Sequence, residues 1–344
     1  MGLVILGDIM LGRNQAPLIE KYGISKILSG LEETIEGRKI IANLECPLLN
    51  TKKINRNQKS FSQLFGNEVL AKQLSENGFE ALSLANNHIF DYGIDGLENT
   101  QLVLKKSSIQ YFGAGLNKSA SIKPAIIKLD NYLVGFLGFS FSNPSMQENP
   151  GVAFLYDSTV DYAIKKIRDE VDFLIIMPHS GIELYQYPLK RDQKVYKKMI
   201  ELGADLVVGS QPHVIQAMEI YLSKSIYYST GDLLFDHFHE DTRIDFSSDI
   251  SHSRKFSIEP RFSLTQFSLL IQVDIIKGEL VVNHHPIFNK DGYNPTVLCS
   301  LKRKEWQEQF ALINHNLKHS MWIDGERISI ERKLMRDLNN RGVI

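Results

Sequence analysis

From Leu3 to about Gly231 the chain alternates short apolar, β-branched runs with stretches of helical period, and this alternation restricts the fold more than any other feature of the sequence. The runs at 3–7, 40–44, 81–85, 173–177, 206–208 and 226–228 do not follow an apolar–polar alternation. They therefore predict strands buried on both faces, as in an α/β domain. Between them, Leu70 and Leu74 stand one helical turn apart, with Asn67 as the expected N-cap and Gly78 as the C′ stop. A second helix over 191–203 carries Val195, Met199 and Leu202 on one stripe and also ends at a glycine. Residues 124–139 read as a hairpin turning at Asp130–Asn131, which adds antiparallel strands and makes the sheet mixed, unlike a simple dinucleotide-binding domain.

Beyond Asp236 the pattern changes. Residues 237–260 are rich in Ser, Asp and His without a clear period and are expected to form a long loop or lid, so that His237, His239, Glu240 and Asp241 read as a solvated cluster. A strand pair around Lys277–Gly278 follows, within 262–282, and 301–344 reads as a charged, mainly helical extension of a domain spanning 1–300. Thirty-nine Lys and Arg against forty Asp and Glu leave a formal net charge of -1, which offers no field for holding nucleic acid. Cys46 and Cys299 lie far apart without CxxC spacing and are expected to be plain thiols. With no basic leader before Asp8 and no long apolar run for a membrane span, a cytoplasmic location is expected.

The chemistry gathers at the strand ends. Asp8 ends the first run, Asn43 and Glu45 the second, Asn86, Asn87 and His88 the third, His179 and Glu183 the fourth, and Gln211 and His213 the fifth. In α/β sheets such ends converge on one crevice, so groups distant in sequence can share a site. One polar strand end is ordinary turn chemistry; a succession of them is not. Carboxylates, an amide oxygen and imidazoles together suit Mn, Fe or Zn and lack the all-oxygen character of a calcium site.

In order, GDIMLGR (7–13), NLECPL (43–48), LANNHIFDYG (84–93), PHSGIE (178–183), GADLVVGSQPHVIQ (203–216) and YSTGDLLFD (228–236) resemble the blocks of the CapA, or poly-γ-glutamate capsule-biosynthesis, family, a branch of the calcineurin-like metallophosphoesterases. The resemblance implies a four-layer α/β/β/α sandwich of two mixed sheets flanked by helices. It also implies a site for one or two divalent ions on Asp8, Glu45, Asn87, His179 and His213, with Glu45 shared between the ions. His88 would be the acid or substrate-orienting group, with Asp91 fixing its tautomer; Arg13, Asn86 and Glu183 would meet an anionic substrate.

Two departures from the superfamily stand out: Met10 occupies a position often held by histidine, and Gln211 replaces one imidazole of a paired block, leaving it a weak or vestigial ligand. One tight and one weak ion position are therefore expected. The implied function is metal-dependent hydrolysis at an anionic small molecule or polymer, phosphoester chemistry first, in the setting of capsule-synthesis machinery. The alternatives are amide hydrolysis and a noncatalytic polymer-binding or assembly subunit with a degraded metal site.

Overall fold

A computed structural model of the chain describes residues 2–50, 63–236, 265–289, 292–298 and 300–319. Across the first sheet the strands run Thr296–Val297, Glu279–Phe288, Phe267–Ile276, Leu3–Ile9, Lys39–Leu44, Phe79–Ser83 and Gln110–Phe112, with Asp232–Leu234 pairing beside Leu3–Ile9. Across the second they run Met218–Tyr221, Lys224–Tyr227, Leu206–Val208, Phe173–His179, Tyr132–Ser140 and Ala125–Leu129. The second sheet has a parallel centre and antiparallel margins, whereas the first is antiparallel from Thr296–Val297 to Leu3–Ile9 and parallel from there to its other edge at Gln110–Phe112. The expected hairpins are present, turning at Asp130–Asn131 and at Lys277–Gly278.

Strand periodicity explains the layers, because successive side chains point to opposite faces. Leu3 and Ile5 enter an apolar layer shared with Val134, Phe136, Ile175 and Met177 of the second sheet, whereas Val4 and Leu6 face the helices Gln15–Ile27, Leu70–Glu76 and Gly93–Lys106. On the far side, Leu174 and Ile176 meet the helices Thr159–Ile167 and Lys190–Glu201. The result is the expected four-layer α/β/β/α sandwich. At Gly138 the two sheets approach so closely that an added Cβ would lie 2.9 Å from the Ser83 hydroxyl and 3.1 Å from the Ala85 Cβ.

Several local expectations need adjustment. The third strand is Phe79–Ser83, two residues earlier than its apolar run suggests, because Leu84 and Ala85 stay buried after leaving the ladder. Asn67 does not cap the following helix: it pairs with Leu49 in a two-residue bridge, its Oδ1 accepts from Val69 N, and the helix begins at Leu70. Gly78 and Gly203 do stand just past their helices with positive φ. Cys46 is a free, buried thiol whose pKa burial pushes up to about 12, and Cys299 lies outside the described residues. The segment 237–260 also lies outside them. Among the described residues no helix is long and apolar enough to cross a membrane.

In the helix Ser300–His319, Trp306 and Phe310 are buried in the layer between the sheets. Their rings stack at 4.7 Å and pack edge-on against His284. Trp306→Ala is therefore expected to cost about 3–5 kcal/mol, read as a lower unfolding midpoint of the whole body. An unchanged midpoint would mean that the helix is an appendage.

Candidate metal centre

The parallel strands of both sheets deliver their carboxyl ends to one seam. Leu3–Ile9, Lys39–Leu44 and Phe79–Ser83 lead to Asp8, Glu45 and Asn86–His88, while Phe173–His179 and Leu206–Val208 lead to His179 and to Gln211–His213. The predicted set thus comes together from two sheets, and within the second a parallel bridge between His179 and Ser210 continues the pairing of Phe173–His179 with Leu206–Val208.

Glu45 sits at the middle. It is fully buried, and neither carboxylate oxygen has a hydrogen-bond partner. Around its Oε1 stand Nε2 of His179 at 3.7 Å, Nε2 of His88 at 4.0 Å and Nε2 of His213 at 4.0 Å. The Nε2 of His179 is also 2.9 Å from Asn87 Oδ1, and its Nδ1 is 2.9 Å from the Ser210 hydroxyl. Donors bound at about 2.0–2.2 Å to one ion are separated by roughly 3–4 Å, depending on the angle between them. A buried, unpaired carboxylate with amide oxygen and imidazole donors spaced in this way fits a divalent cation.

Asp8 is equally buried. Its Oδ1 accepts from Asn43 Nδ2 at 2.7 Å and its Oδ2 from the backbone N–H of Gln211 at 3.1 Å. Two overlapping trios are close enough to hold ions, Asp8–Glu45–His179 and Asp8–His213–Asp232, so Asp8 belongs to both while Glu45, the expected shared ligand, belongs to one. Asp232 is the member that the strand-end reading missed. Its signal was a second Gly-Asp step, Gly231-Asp232, in the sixth motif block, matching Gly7-Asp8 in the first. The two steps lie in register on parallel strands, with Asp8 opposite Asp232.

Burial, helped by the Asp232 charge, raises the Asp8 carboxyl from 3.8 to about 6. Glu45 is pushed well above the usual carboxylate range by burial and then by Asp8. Burial disfavours the charged form of His213, but Asp232 and Glu45 outweigh it and hold that imidazole well above its ordinary value. His179, with burial reinforced by His213 and His88, lies well below it. So the seam carries more carboxylate than its own imidazoles offset, a condition that a cation relieves.

The remaining candidates separate. His88 is partly open to solvent, and its Nδ1 lies 2.8 Å from Asp91 Oδ2. Glu183 is exposed at the rim, where its charge acts on Glu45 and His213. Arg13 is half-buried with φ 44°; burial lowers its pKa, and the charges of Asp236, Asp91 and Glu45 offset only part of that shift. Asn86 differs from its expected role as a substrate contact. It is fully buried, its Nδ2 donates to Leu44 O and Asn43 Oδ1, and its Oδ1 accepts from His88 N, so its amide is spent on holding the loop. Met10 lies in the core with its sulfur accepting from Gly12 N. Gln211 and His213 both take positive φ, strain of about 1–3 kcal/mol per residue that clusters at functional sites. The Gln211 Oε1 is buried without a hydrogen-bond partner.

Residues 2–237 match the family described as "Bacterial capsule synthesis protein PGA_cap". The chain belongs to this family. The capsule biosynthesis protein CapA of Bacillus anthracis is 30% identical over 244 residues, covering 68% of this chain and 59% of that protein. The PGA biosynthesis protein CapA of Bacillus subtilis is 29% identical over 237 residues, covering 67% of this chain and 62% of that protein. This PGA_cap chain therefore spans about three fifths of the length of the curated relatives it matches. In fold it resembles the crystal structure of a novel phosphatase from Mycoplasma pneumoniae, with a TM-score of 0.52 at 12% identity over 85% of this chain and 94% of the other. The PGA_cap chain thus shares the fold of that phosphatase.

Proposed function

We propose that this PGA_cap protein is a metal-dependent hydrolase acting on an anionic substrate, with phosphoester cleavage as its chemistry, in capsule or poly-glutamate synthesis. The observation that carries the reading is the Glu45 carboxylate, buried, unpaired and ringed by three imidazole nitrogens. In this reading Asp8, Glu45, Asn87, His179 and His213 hold a divalent ion, Mn, Fe or Zn, with Gln211 Oε1 as a weaker donor to a second. A divalent ion there would supply Lewis-acid stabilisation of the charge developing on the reacting group.

The chain's own groups do the rest. With the Nδ1 of His88 held by Asp91, its doubly protonated imidazolium form would present Nε2–H to the leaving oxygen and pass that proton to it. Arg13 offers a guanidinium matched to phosphate or carboxylate oxygens, and Glu183 at the rim disfavours anions that approach off-register. The core of the seam excludes water from Asp8, Glu45 and His179.

Elemental analysis of protein purified without a metal-affinity tag is the test. At least one tightly held divalent ion per chain is expected, and Glu45→Ala should lose it. Wild-type protein that takes up no divalent ion on titration would end the proposal.

A further inference from the structure

Asp8 and Asp232 are neighbours for a backbone reason. A Cβ added at Gly7 would lie 1.8 Å from Gly231 O, and Gly231 takes φ 71°. Only a glycine at each step lets the strands Leu3–Ile9 and Asp232–Leu234 close to this distance, with Asp8 N donating to Gly231 O at 3.3 Å. The residue after each glycine is an aspartate, so the close approach sets two carboxylates side by side in a nearly dry seam, Asp232 being 5% exposed. Two like charges there cost stability unless they serve something else.

Asp232 Oδ1 lies 2.8 Å from His213 Nδ1, while His213 Nε2 points toward Glu45. An imidazole with one nitrogen held by a carboxylate has its tautomer and ring plane fixed, and its other nitrogen becomes a better donor to a cation. His213 needs such support, because its own backbone sits at φ 58° in a strained turn and the ring at Phe235, with centroids 4.7 Å apart, offers contact but no hydrogen bond.

We infer that Asp232 is a positioning residue for the metal centre: it holds His213 with Nδ1 protonated and Nε2 presented to the ion, and acts through that imidazole. The inference rests on the metal-binding reading above. It makes the second Gly-Asp step a working part of the site and leaves Asp8 and Glu45 as the carboxylates that meet the ion.

A double-mutant cycle tests it, with Zn²⁺ as the probe and affinity read by competition with a chelating dye. Asp232→Ala is expected to weaken Zn²⁺ binding about 10–100-fold in the wild-type background. In a His213→Ala background the same change should weaken it less than about 3-fold, because the group through which Asp232 acts is gone. An equal loss in both backgrounds would overturn the inference and make Asp232 a direct ligand, and so would full affinity in Asp232→Ala. The unfolding midpoint of the metal-free variants is the control: a purely structural Asp232 would lower it in both backgrounds while leaving the Zn²⁺ cycle flat. If the metal-binding reading itself fails, wild-type protein shows no Zn²⁺ affinity that Glu45→Ala removes, and that outcome is distinct from every arm of the cycle.

Discussion

His88→Ala is expected to lower turnover of an aryl phosphate ester by about 10²–10⁴-fold, the usual contribution of a positioned proton donor. Divalent-ion content and the unfolding midpoint should stay near wild type. The expectation follows from position: of the imidazoles around Glu45, His88 is the one most open to solvent, with side-chain exposure of 21% against 1% for His179 and 8% for His213. It is therefore placed to reach a bound substrate, and the Asp91 contact at Nδ1 leaves Nε2 as the nitrogen that faces the centre. The loss should fall on kcat more than on KM, since a proton donor acts in the transition state. Turnover that survives in His88→Ala would remove it from the chemistry, and wild-type protein that binds ions but never turns over would favour the noncatalytic assembly role.

Metal-free protein should become less stable as pH rises from about 4 to about 6, and Asp8→Asn should remove much of that fall. In this window the folded Asp8, with its pKa near 6, keeps a proton that the unfolded chain, near 3.8, has released. Stability falls with rising pH wherever the folded state binds more protons, here on the order of 3 kcal/mol for Asp8 alone. Glu45, raised by burial, acts in the same direction. His213 acts in the same direction but above this window: its stabilising charge is fully present below its ordinary 6.5 and is lost only as pH climbs through its raised value. His179 opposes them: its penalty applies at low pH and vanishes as pH rises past its ordinary value. Bound cation favours the ionised carboxylates, so the ion should raise the unfolding midpoint more at pH 7 than at pH 4. Thermal scans of metal-free, loaded and Asp8→Asn protein across this range measure all of this; an Asp8→Asn curve with the same slope as wild type would contradict it.

Much of the sandwich was legible because its central strands are buried on both faces and therefore read as unbroken apolar runs, and because its turns at Asp130–Asn131 and Lys277–Gly278 use residues that accept positive φ. Boundaries were harder where burial outlasts pairing. Leu84 and Ala85 are as dry as a strand but belong to the loop that carries Asn87 and His88. The site was legible residue by residue at strand ends but not in its division of labour. Asn86 and Asn87 are adjacent amides that only the motif resemblance separates, as substrate contact and metal ligand, and the fold turns the first toward Leu44 and the second toward His179. Asp232 escaped the strand-end reading because it begins its strand instead of ending one, and its partner was fixed by a glycine contact between residues far apart in the chain.

The approach of the two sheets at Gly138 carries a mechanical consequence. Donors from the first sheet and imidazoles from the second meet across a seam, so the centre behaves as a clamp whose jaws are the sheets and whose gap is set partly by a missing methyl group. Gly138→Ala would act as a shim, pressing on Ser83 and Ala85 only a few residues before Asn87 and His88. Such a change touches no ligand, yet it would splay the jaws, and ion affinity then becomes a gauge of how tightly the two halves of the chain are held together.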